Sequence, residues 1–167
     1  MIDPSVVENE GGVSIMYSIS YILHVSGVAV WLGSFIALGF ILKSLAKDEK
    51  KLADFAPVMK QIQKWVMMGV LPSLVLILLS GVYMVLQFNR DSMPLYITIM
   101  EQGGGLIILL TIIFVSIYSV RLTKKLQGIS LKKERSLAEL TKMYANFLFI
   151  STLLGIVIIV VVGLRLV

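Results

Sequence analysis

The sequence predicts an all-α integral membrane protein, a four-transmembrane-helix bundle with both chain ends outside (N-out/C-out). Three observations lead there. Of 167 residues, 57% are hydrophobic and only 15% charged, with a mean hydropathy of +0.92, well outside the usual composition of a soluble domain. Four long apolar runs, Ser14 to Leu42, Trp65 to Phe88, Leu95 to Val120 and Phe147 to Leu164, each approach or exceed the roughly 20 residues that span a bilayer. Lipid leaves no partner for free backbone groups, and these runs lack the alternation of barrel strands, so they read as helices. Finally, 13 of the 15 basic residues fall in two segments, after the first run and after the third. Arg90 and Arg165 stand alone at the opposite ends, so the positive-inside rule places both basic segments in the cytoplasm of a cell-membrane protein.

Residues 1–12 read as an extracytoplasmic tail. They carry Asp3, Glu8 and Glu10 and no basic residue, the reverse of a signal-peptide n-region. The single domain is 13–167, with transmembrane helices over 13–42, 65–88, 95–120 and 143–164 and basic cytoplasmic loops over 43–64 and 121–142. In the first helix Tyr17 and Tyr21 suit an outer aromatic belt. Asp54 is a candidate cap for a helix that tolerates Pro57 early and enters lipid near Trp65. Pro72, behind Gly69, predicts a kink in that helix. The short Asn89 to Pro94 connection makes the second and third helices antiparallel neighbours. Ser136 and Glu139 form a capping box that starts the fourth helix before it reaches lipid.

Ala29, Gly33 and Ala37 form a small-residue row expected to be the close-packing face of the first helix, and Ser151 and Gly155 begin another on the fourth. Ser73, Asn146, Ser151 and Thr152 read as interhelical hydrogen-bond partners. Gly103, Gly104 and Gly105 are unusual inside a helix, where each glycine costs about 1 kcal/mol relative to alanine. They imply close approach of another helix or of a flat ligand.

His24, the single histidine, lies just inside the outer hydrocarbon boundary, where an ionisable group is a functional candidate. Its helix face also carries Tyr17, Ser20, Tyr21, Gly27, Trp31 and Phe35. Glu101, the one acidic residue within the four runs, sits at similar depth on the third helix and is the expected partner of His24, since either is costly unpaired near lipid. The alternative is a hydrogen bond that only fixes packing. Neutral imidazole is a common metal ligand, and thioethers at Met16, Met84, Met93 and Met100 are soft donors suited to Cu(I). A haem with one histidine axial ligand is also chemically allowed. With 0 cysteines there are no thiolate ligands or disulfides. No phosphate-binding glycine loop, HExxH or GxSxG is present, so no catalytic residue is assigned. The basic segments interleave no aromatics and read as topology signals rather than a nucleic-acid surface.

The run His24, Val25, Ser26, Gly27, Val28, Ala29, Val30, Trp31, Leu32, Gly33 resembles the first-helix motif of the copper resistance protein D (CopD) family: a membrane histidine, a Trp about seven residues on, and a Gly two after it. Leu79, Ser80, Gly81 and Val82 resemble the same family's second-helix ending. The HemJ-type haem membrane proteins share the His and Trp pattern, but their membrane-embedded lysine has no counterpart here. The resemblance implies copper binding or translocation at the outer face, with His24, Met84, Met100 and Glu101 as candidate metal ligands. The alternatives are haem bound by His24 in the context of Tyr21, Trp31 and Glu101, or a non-catalytic subunit of a larger membrane complex. Expected partners are the bilayer and either other membrane subunits or further copies of the chain.

Overall fold

The computed structural model describes residues 4–90, 93–129 and 136–164, with the side chains of 4–14, 50, 51 and 53 left aside. Asp91 and Ser92 of the 89–94 connection, the basic residues Lys132, Lys133, Arg135 and Arg165, and the first three residues of the N-terminal segment lie outside the described set. Five helices follow in order: α1 Pro4–Leu45, the short α2 Glu49–Asp54, α3 Ala56–Leu86, α4 Leu95–Leu126 and α5 Leu137–Gly163. Four have the length and hydropathy of membrane spans, over Ile15–Leu45, Ala56–Leu86, Leu95–Leu126 and Leu137–Gly163. The protein is an all-α four-helix membrane bundle.

The helices are longer than the apolar runs. The shortest span, 27 residues, is about 40 Å at 1.5 Å per residue, which exceeds the hydrocarbon and enters the headgroup layers. Much of the sequence expected as basic loop is therefore helical. Lys60, Lys64, Arg121, Lys124, Lys125 and Lys142 ride on helical extensions of the spans. At the other end, α1 begins at Pro4 rather than near Val13.

Local rules account for most boundaries. Ser136 caps α5 by accepting the Glu139 N–H at 3.1 Å. Pro94, with extended backbone, precedes α4. Asp54 does not cap α3: it closes α2, and Phe55 occupies the cap position without a side-chain bond. Pro72 follows a π turn, Val66–Val70, in which the Leu71 N–H reaches back to the Val66 carbonyl. A proline cannot donate to the ladder, and the widened turn lies immediately before it. A second π turn, Met100–Gly104, lies near the start of α4.

α1 packs against α3 and α5, and α4 packs against the same two, so α1 and α4 occupy opposite corners. The core is built from Trp31, Phe35, Leu38 and Leu42 of α1, Val66, Val70, Leu74 and Ile77 of α3, Ile108, Val115 and Leu122 of α4, and Leu140, Tyr144 and Leu148 of α5. Leu52 of α2 is buried in the same core. Thr111 and Ser151 hydrogen-bond across α4 and α5 at 2.7 Å, and the Ser119 hydroxyl donates to the Gln63 carbonyl oxygen between α4 and α3. Ser73 and Thr152 bond within their own helices, to Val70 and Leu148 carbonyls, and Asn146 is exposed. Of that expected polar group, Ser151 alone is shown bridging two helices.

The small-residue row on α1 is reversed. Ala29, Gly33 and Ala37 are exposed, and a Cβ added at Gly33 would meet nothing within 4 Å. Close approaches occur instead at Gly27, against Ile77 and the Ser73 carbonyl, and at Gly39, against the Phe149 ring. A lipid-facing surface is as apolar as a core, so hydropathy does not mark which face turns inward, and the bulky residues on the His24 face decided it.

Candidate functional site

His24 lies half-buried on the inward face of α1, against α3. Gly81 makes this possible, because a Cβ there would sit 3.2 Å from the imidazole Cε1. Nδ1 is 3.0 Å from the Ile77 carbonyl and 3.2 Å from Ser80 Oγ. A carbonyl only accepts, and the Ser80 hydroxyl donates to the Leu76 carbonyl at 2.5 Å, so the network assigns the proton to Nδ1. The Nε2 lone pair has no protein partner among the described residues. An imidazole oriented through Nδ1–H by a backbone carbonyl, with Nε2 open, is the arrangement a metal ligand requires.

Glu101 pairs with Arg90 at 3.2 Å rather than with His24. The expected His24 to Glu101 bond is absent because α1 and α4 are diagonal, and because Arg90, exposed just past the end of α3, offers a full counter-charge. Glu101 itself lies in the π turn Met100–Gly104, a wide turn of the kind often found at functional sites.

Between the four helices at this end is a partly open cavity of about 450 Å³. His24, Tyr21 and Trp31 line it from α1, Gly81 from α3, Met100, Glu101, Gly104 and Gly105 from α4, and Gly155 from α5. Aliphatic side chains such as Val28, Ile77, Val85, Ile108 and Ile158 complete the wall. The volume falls in the range of small-molecule sites, and the wall is mostly apolar with a few convergent polar groups. At Gly105 an added Cβ would meet nothing within 4 Å, so this glycine leaves space open. Gly103 and Gly104 lie beside Ile158, at 3.3 and 3.8 Å for the same hypothetical atom.

Trp31 is held in place around this cavity. Its ring packs so closely on Gly155 that a Cβ there would come within 2.6 Å of Cη2, and it meets Phe35 edge-to-face at 6.2 Å. The indole Nε1 is buried and without a hydrogen-bond partner.

The chain matches no family model, no curated protein and no solved structure. The functional reading therefore rests on the residues themselves. The cavity brings together His24, Tyr21, Trp31, Met100 and Glu101 of the sequence-derived candidates. Met84 is buried but does not line the cavity, and neither do Met16 and Met93. No cluster of three His, Cys, Asp or Glu side chains occurs among the described residues. The donor-bearing candidates that line the cavity are His24, Met100 and Glu101. Sequence reasoning missed Ser80 and the Ile77 carbonyl as the groups that orient His24. A backbone acceptor leaves no sequence signal, but the Ser80–Gly81 pair, one hydroxyl beside one missing side chain, was legible in principle.

Proposed function

We propose that the protein binds copper at the outer end of the bundle, in a cell membrane whose cytoplasmic side faces the basic helix ends. The observation that carries this reading is the His24 imidazole, fixed through Nδ1–H with Nε2 free, in a cavity that Met100 and Glu101 also line. Nitrogen, thioether and carboxylate donors together suit copper in either oxidation state, the thioether favouring Cu(I). Bound there, copper would supply one-electron chemistry or be passed onward as cargo. The chain's own part is to present His24, to keep the site apolar, and to hold Glu101 beside Arg90 until a cation competes for it. The resemblance of the His24 to Gly33 run to the CopD family supports the same reading.

A second reading is favoured by one specific observation. Gly105 leaves the cavity wall open, and a single imidazole lines a largely apolar space, which is the donor set of a haem with one histidine ligand. His24 would hold it, and the group would supply redox chemistry.

Measuring copper and haem per chain, with an absorption spectrum and a melting curve, for wild type and His24→Ala separates these. Copper lost from the variant while the bundle still melts cooperatively supports the first reading, and a Soret band lost in the same way supports the second. A third reading, packing alone, predicts equal cofactor content and a stability loss of about 1 kcal/mol from the lost His24 hydrogen bond, since Ser80 still donates to the Leu76 and Ile77 carbonyls. Equal content in both proteins ends the ligand role of His24.

A further inference from the structure

One end of the α3 and α4 pair is strongly basic and carries no carboxylate of its own. Lys60 and Lys64 of α3 and Arg121, Lys124 and Lys125 of α4 lie there, while the acidic residues between Phe55 and Ile129, Asp91 and Glu101, belong to the opposite ends. Asp54, closing α2, is the nearest acidic residue in sequence, six positions before Lys60. Packing decides which of these cations share a surface. The Gln63 to Ser119 hydrogen bond marks the contact line between the two antiparallel helices. At about 100° per residue, Lys60 and Lys64 project from one flank of α3, about 60° and 100° from that line. Because α4 runs the other way, Lys124 turns to the same flank, about 140° from the line and within about 3 Å of the level of Lys60. Tyr118 leaves α4 on the other flank and stacks on Tyr144 of α5 at 5.8 Å, and Trp65 donates to Ser34 of α1. Helices α1 and α5 therefore lie behind the seam, and the flank with the three lysines, all exposed, faces away from the bundle.

Depth fits as well. Lys64 adjoins the apolar run that starts at Trp65, and Lys124 follows the one that ends at Val120, so the three ammonium groups lie where hydrocarbon gives way to headgroups. Met67, Leu71 and Ile113 continue the same flank toward the middle of the bundle as an apolar track, with Met67 and Ile113 exposed. The seam between α1 and α5 makes a contrast at the same end. Its Lys43, Lys47 and Lys142 have Asp48, Glu49 and Glu139 within a few residues, and the Lys43 ammonium lies over the Phe149 ring at 5.6 Å. The α3 and α4 flank keeps its full positive charge beside an apolar track.

We propose that this seam seats an anionic phospholipid, with its phosphodiester among Lys60, Lys64 and Lys124 and an acyl chain along Met67, Leu71 and Ile113. A basic residue close to an anionic headgroup is worth about a five-fold change in affinity. The proposal rests on the membrane-spanning fold and is independent of copper at His24.

The test is native mass spectrometry of the full chain in neutral detergent, titrated with phosphatidylglycerol or phosphatidylcholine of identical acyl chains. Wild type is expected to bind its first phosphatidylglycerol at least about ten-fold more tightly than its first phosphatidylcholine, and the combined Lys60→Gln, Lys64→Gln, Lys124→Gln variant to lose that preference. Lys43→Gln, Lys47→Gln and Lys142→Gln together remove the same charge from the other seam and should leave the preference in place. All six positions are exposed, so both variants should keep the helical circular dichroism of wild type. Three results overturn the proposal: no preference for phosphatidylglycerol in wild type, an equal loss in both triple variants, or displacement of the bound lipid by equimolar inorganic phosphate, which would leave the apolar track without a role.

Discussion

Replacing Gly27 and Gly33 separately by alanine tests which face of α1 is packed, and the two changes should have opposite signs. Both glycines are interior to the same helix, and alanine there gains about 1 kcal/mol in helix propensity at either position. At Gly33 the new methyl meets nothing within 4 Å, so the variant should be as stable as wild type or more stable by up to about 1 kcal/mol. At Gly27 the methyl would stand 2.7 Å from Ile77 Cγ1 and 3.1 Å from the Ser73 carbonyl oxygen. Carbon contacts settle near 3.5–4.0 Å, so about 1 Å of separation is needed between α1 and α3. Ile77 is buried and the Ser73 oxygen belongs to the backbone, so neither yields easily. Overpacking of this kind costs about 1–3 kcal/mol. Since propensity cancels between the two variants, their stability difference should also be about 1–3 kcal/mol, with Gly27→Ala the less stable. Equilibrium unfolding in mixed micelles with rising dodecyl sulfate, followed by helical circular dichroism, measures it. Equal destabilisation by both substitutions would refute the packing described for α1, because it would mean that the Ala29, Gly33 and Ala37 face is in tight contact.

Removal of the cap at Ser136 should cost about 0.5–2 kcal/mol and fray the first turn of α5, since Ser136→Ala leaves the Glu139 N–H without its acceptor. Amide hydrogen exchange at the start of α5 reads this directly, and unchanged protection there would contradict the cap. For orientation, the absence of native cysteine allows single cysteines at Lys50, Lys133 and Asp91. In intact cells an impermeant thiol reagent should label Asp91→Cys and spare the other two, and the reverse pattern would invert the assignment.

The number of spans, their order and their approximate limits were readable in the sequence, because hydrocarbon thickness sets a minimum run length and basic residues avoid lipid. The inward placement of Gly27, Trp31 and Phe35 alongside His24 was readable for a similar reason, since large aromatic and ionisable groups repeat on one helical face. What failed was subtler. The row Ala29, Gly33, Ala37 has the spacing of a packing motif, yet small residues permit close approach without requiring it. His24 and Glu101 were matched by depth alone, which carries no information about which helices are neighbours. Diagonal placement of α1 and α4 keeps them apart, and Arg90 supplies Glu101 with a counter-charge. The two π turns left no clear sequence signal beyond a nearby proline in one and a run of glycines in the other.

That glycine run bears on whether the cavity is an accident of packing. Three successive glycines weaken α4 by about 3 kcal/mol relative to alanines, a large fraction of what holds a small protein together. Gly103 and Gly104 recover something, because each lies close to Ile158 and lets α5 approach. Gly105 recovers nothing of the kind, since a methyl there would meet empty space. Alanine at 105 would fit and would strengthen the helix, so packing within the chain does not explain this residue. Gly81 contrasts with it, because its missing side chain is filled by the His24 ring. Gly105 therefore widens the cavity that His24, Met100 and Glu101 also line.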